Sequence, residues 1–154
     1  MGLKGDRYIP DGAVDISYFM NEVAERGGCA VFSTLGSGAA LDQSEALVTY
    51  ASDPSGKLPA GILLSDMVNY DLTKRHLNWH KDEVQIGSKV PLARRGWVLT
   101  DMLVASTTPA VNQKCYVRES GLLSNSGNSQ DQRVGTWGSK KDEDGYAKVH
   151  INIA

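Results

Sequence analysis

His76 and His80 stand four residues apart in the run His-Leu-Asn-Trp-His. On a helix that spacing places two imidazoles on one face, as in zinc sites that take two ligands from a single turn. Asp71 or Asp82 offers a third ligand. The Glu that follows the first histidine in the metalloprotease motif is missing, because Leu77 occupies its place. His150, the remaining histidine, belongs to a separate predicted strand. The two rings therefore read as groups that pack or hydrogen-bond at a surface. A metal-dependent or hydrolytic enzyme built on His76 and His80 is the competing reading.

Other chemistry-bearing patterns are also incomplete. Gly36-Ser37-Gly38 follows an apolar run like the opening of a dinucleotide-binding loop, but Leu41 stands where that loop needs a further glycine. Gly56-Lys57 lacks the hydroxyl residue of a phosphate loop, since Leu58 follows and Ala51 replaces the first glycine. Both read as turns. No G-x-S-x-G elbow presents a serine nucleophile. Asp142, Glu143 and Asp144 adjoin Lys140 and Lys141 and lack the calcium-loop pattern, so they read as a solvated turn. Cys29 and Cys115 cannot complete a zinc site by themselves and read as reduced, buried thiols. No catalytic residue, metal ligand or cofactor is expected.

The elements that hold these residues are short. Glycine supplies 16 of the 154 residues and hydrophobic types 41%, which suits one domain with its own core and many turns. The 16 basic and 18 acidic residues are interspersed and leave a net charge of −2. Proteins that track a phosphate backbone usually show a basic excess or stripe, so direct nucleic-acid binding is not expected. No apolar run approaches the roughly 18 residues of a membrane span. Met1 to Pro10 lacks the apolar stretch of a signal peptide, so synthesis into the cytoplasm without membrane contact is expected.

Residues 1–13 are polar, with Pro10 and Gly12, and read as an N-terminal arm preceding one domain over 14–154. Val14, Ile16, Tyr18 and Met20 alternate with polar neighbours as in a strand, while a helix from Ser17 to Arg26 competes. Gly28–Thr34 is a short apolar run, and Leu47–Ala51 is a second. Leu58–Leu64 is strand-like, with Pro59 and Gly61 pushing it toward a sheet edge. Lys89–Ala93 and Trp97–Thr100 read as strands around a basic turn at Arg94-Arg95, and Lys114–Arg118 as another. Ser124 to Gln132 is polar and reads as a mobile loop. Arg133–Trp137 and Tyr146–Ile153 flank an Asp-Gly turn, a hairpin signal. The fold class is mainly β: a compact antiparallel β-sandwich or barrel with a polar N-terminal arm and one long contact loop.

That contact loop is residues 65–85. It follows neither a period of 2 nor one of 3.6 and mixes bulky aromatics with charges, as contact loops do. Tyr70, His76, Trp79 and His80 are its candidate interface residues, with Trp79 as the anchor. Trp97 and Trp137, beside Gly96 and Gly135 in strands, are assigned to the core.

Whole phrases of the chain resemble the decoration (cement) proteins of tailed-bacteriophage capsids, especially those of phages infecting cyanobacteria and other aquatic bacteria. The phrases are Gly28–Phe32 with Gly36-Ser37-Gly38, Leu47–Ala51 with Pro54-Ser55-Gly56, and Leu64–Glu83 running on through Gly87–Thr100. A last phrase joins Val134-Gly135 to Lys141–Val149. The resemblance implies a small β-rich virion protein on the capsid exterior. Such a protein bridges major capsid protein subunits as a homotrimer or dimer and stabilises the shell without doing chemistry. A phage tail or baseplate component would share the β character and assemble elsewhere.

Overall fold

The computed structural model describes residues 3–10, 14–33, 47–66 and 89–153. Its strands are β1 (Leu3–Pro10), β2 (Val14–Met20), β3 (Cys29–Phe32), β4 (Leu47–Thr49), β5 (Pro59–Leu63) and β6 (Lys89–Ala93). They continue with β7 (Arg95–Thr100), β8 (Lys114–Val117), β9 (Leu123–Ser124), β10 (Arg133–Trp137) and β11 (Ala147–Asn152). Strands β2, β4, β3, β5 and β6 close into a barrel, and the others form a six-stranded sheet in the order β1-β7-β11-β10-β8-β9. The mainly β expectation holds, and residues 14–20 form the strand rather than the competing helix. Among the described residues no helix is long and apolar enough to cross a membrane.

The short apolar runs are explained by burial on both faces. In β3, Ala30 enters the barrel core with Met20, Val48, Leu63 and Leu92. Its neighbours Cys29 and Val31 leave the other way, into the core shared with the sheet around Trp137, Val149 and Ile151. Strand β5 divides similarly. Cys29 pairs with Ile62 and Ala30 with Gly61, but Val31 pairs with Pro59, so Ala60 is an extra residue. This bulge lets Ala60 and Leu63 face the barrel while Ile62 faces the sheet. Each large apolar side chain buried this way contributes about 1.5–3 kcal/mol.

Several sequence expectations change. Strand β5 is not an edge strand; it lies between β3 and β6, with Pro59 at its first residue, where the missing N–H is tolerated. Residues 3–10, read as part of a polar arm, form β1 and pair with β7. Arg94 does not turn the chain back on itself. It passes the chain from β6, paired with β2 and β5, to β7, paired with β1 and β11. The β2–β4 pair is parallel, a departure from the antiparallel expectation.

The polar tract after Ser124 is stitched down. Asp131 Oδ2 accepts from the Asn128 N–H at 2.7 Å and pairs with the Arg118 guanidinium at 2.6 Å. The Gly56 N–H donates to the Gln130 carbonyl at 3.1 Å and the Val117 N–H to Gln132 at 3.1 Å. Its polar backbone is satisfied by neighbours rather than by water alone. The Asp-Gly turn forms as its signal implied. Gly145 adopts φ +87°, and Asp142 accepts the Tyr146 N–H on Oδ1 at 2.7 Å.

Candidate functional site

Strands β7, β11, β10 and β8 alternate between an inner face that builds the core and an outer face that meets solvent. Val98, Val149, Trp137 and Cys115 point inward and are buried. Cross-strand partners share a face, so the register places the outward residues in rows. Trp97 faces His150, His150 faces Thr136, and Thr136 faces Lys114. The flanking rows set Leu99 against Lys148, Arg95 against Asn152, and Arg133 against Tyr116. Arg95, Lys114, Arg133 and His150 are exposed, while Trp97, Leu99, Thr136 and Lys148 are half-buried.

The expectation that Trp97 belongs to the core is therefore corrected, while Trp137 is fully buried. Two positions separate Trp97 from Leu99, and Val98 between them takes the inward place. The Lys148 ammonium sits 4.4 Å from the Trp97 ring centroid. Tyr116 is covered on the same face by the loop backbone, since a Cβ on Gly127 would lie 2.7 Å from its ring. Strands β7, β8, β10 and β11, all described throughout, contain no Asp or Glu. The carboxylates nearest in sequence, Asp142, Glu143 and Asp144, lie exposed in the turn beyond β10 and β11. The result is a broad, cationic surface with an aromatic centre.

A second feature is a polar cleft of about 250 Å³ lined by residues of the Ser52–Ser55 turn with Arg118, Glu119, Asn128 and Asp131. Three of its charged groups have partners within it. Arg118 pairs with Asp131, and the Ser55 N–H, aided by the Ser55 hydroxyl, holds the Asp53 carboxyl below its ordinary value. Cys29 and Cys115 are free thiols in one core. Burial pushes Cys29 up to about 12 and Cys115 well above its usual value, so neither is a thiolate at neutral pH. Burial likewise raises Tyr50, whose hydroxyl accepts from the Gly28 N–H at 3.1 Å and donates to the Glu25 carbonyl at 2.5 Å.

Tyr70, His76, Trp79 and His80, the interface residues expected from sequence, lie outside the described residues, as do Asp71, Asp82 and the Gly36-Ser37-Gly38 loop. Among the described residues no three His, Cys, Asp or Glu side chains gather as a metal site. The sheet face was missed because its cations are scattered along the chain. The available signal was that the strands after Arg94 carry Lys, Arg and His on their polar positions and no acid. No family model matches the chain, and no curated protein matches it.

Proposed function

We propose that this chain is a structural virion protein that binds the outside of a tailed-phage capsid and stabilises it by bridging major capsid protein subunits. The observation that carries the docking half of this reading is the open outer face of the six-stranded sheet, centred on Trp97 and His150. Protein interfaces are enriched in aromatic residues and Arg, as this face is. The phage half rests on the phrases that resemble decoration proteins, from Gly28–Phe32 through Lys141–Val149. The reading includes self-association as a trimer or dimer on the shell and needs no metal or nucleotide.

The test is direct binding. Expanded, empty heads of the phage that encodes this chain are prepared without it and mixed with the purified protein. Saturable occupancy at repeating positions on the outer shell, together with a higher melting temperature of the heads, is the expected result. Labelled virions that carry the protein only on the tail would support a tail or baseplate role instead, and heads that bind none would defeat the proposal.

A further inference from the structure

The inner face of the sheet builds the core, and the outer face gathers cations, of which Lys148 lies against Trp97 and Arg133 Nε donates to the Gly135 carbonyl at 3.2 Å. Arg95 on β7, Lys148 on β11, Arg133 on β10 and Lys114 on β8 share one side, with His150 at the centre. They gather without a single acid in those strands, and the register sets each opposite a neutral residue: Arg95 opposite Asn152, Lys148 opposite Leu99, Arg133 opposite Tyr116 and Lys114 opposite Thr136. The chain as a whole is acidic, at −2, so the positive face is a product of strand pairing rather than of composition.

We infer that this face docks a protein surface rich in carboxylates, with Trp97 as its apolar anchor and Arg95 and Arg133 as its carboxylate-pairing groups. Arg presents a planar fork that matches a carboxylate with two hydrogen bonds, and both guanidinium groups belong to exposed residues. Single-stranded nucleic acid is the less suitable anion, because bases need open ring faces on which to stack. Here the Gly127 backbone lies against the Tyr116 ring, which takes that ring from any base. A second copy presented face to face would set cations against cations. If the chain docks on a shell, this face contributes a contact toward an acidic region of that shell, beside any made by the 65–85 segment.

Soluble polymers test the face separately from the shell. The purified chain is titrated with poly-L-glutamate and, at the same ionic strength, with poly-dT. Polyglutamate binds more tightly, and its binding weakens with added salt. The double variant Arg95→Glu/Arg133→Glu weakens it by about tenfold or more, as loss of paired interfacial charges does. Lys57→Glu/Lys89→Glu makes the same change of net charge away from the face and leaves binding within about twofold, as remote charges do under screening. Trp97→Ala also weakens binding, while its melting temperature falls far less than that of Trp137→Ala. Should the glutamate variant melt early, Arg95→Gln/Arg133→Gln is read in its place. Equal losses in both double variants, tighter binding of poly-dT, or a self-associated parent that the Arg95/Arg133 variant dissociates would each overturn the assignment.

Discussion

The ammonium of Lys148 lies 4.4 Å from the centroid of the Trp97 ring, across the β7–β11 pair and on the solvent side of the sheet. One tryptophan of the sheet is thus a surface residue, and the other, Trp137, is its core counterpart. Trp137→Ala is expected to cost about 3–5 kcal/mol, the range for deleting a large buried aromatic. Lys148→Ala costs about 0.5–1 kcal/mol, the range for an exposed cation–π contact. Urea unfolding of both variants checks the ordering, and equal losses would mean that the two faces are misassigned.

Gly135 sits where no side chain fits. A Cβ there would lie 1.8 Å from the His150 carbonyl oxygen, because β10 and β11 pair with Gly135 opposite Ile151. Gly135→Ala forces the strands apart and is expected to destabilise by about 1–3 kcal/mol or more, as overpacking does. Gly56→Ala, in open space but at φ +72°, bears only backbone strain and serves as the comparison. Thermal melts of the pair give the contrast, with the larger drop at residue 135.

Tyr50 joins the barrel to the segment that follows β2. Its hydroxyl serves the buried Gly28 N–H and the Glu25 carbonyl together. Tyr50→Phe leaves that N–H without its acceptor, which costs about 1–3 kcal/mol. Faster hydrogen exchange at Gly28 is the specific signature; unchanged protection there would show that the hydroxyl does not hold it.

Alkaline pH should unfold the protein through its buried acids. The Cys29 thiol ionises near 9.0 when exposed, but burial moves it to about 12 in the folded chain. The folded state keeps a proton that the unfolded chain gives up, so stability is complete below pH 9.0 and falls as pH rises toward 12. The loss approaches about 4 kcal/mol across that window. Cys115 and Tyr50 contribute with the same sign, since burial raises both. Denaturation midpoints measured from neutral to alkaline pH trace the decline, and Cys29→Ala makes it shallower. A parallel decline in parent and variant would remove Cys29 from the account.

Trp79 belongs to the segment that the sequence marks as contact-forming. As an interface anchor, Trp79→Ala loses about 2 kcal/mol or more of head binding while the free chain melts normally. As a core residue it would instead lose about 3–5 kcal/mol of folding stability. Occupancy on empty heads and melting temperature, measured on one preparation, separate the outcomes.

Period-2 alternation is local, and it was legible residue by residue. Ala147, Val149 and Ile151 alternate with Lys148, His150 and Asn152, and the structure buries the first set and turns the second outward. The turn ending in Asp144-Gly145 and the burial of Trp137 and both cysteines were likewise within reach of residue type and neighbours. Alternation tells which residues share a face of one strand, but not which strand lies beside it. Barrel closure placed β5, with its Pro59, between β3 and β6, and the extra residue Ala60 set which of its side chains enter which core. Strand pairing also gathered Arg95, Lys114, Arg133 and Lys148 onto one surface from four separate stretches of chain. Composition reports net charge, while register decides where the charges meet, because cross-strand neighbours are set by hydrogen-bonded pairing between distant segments.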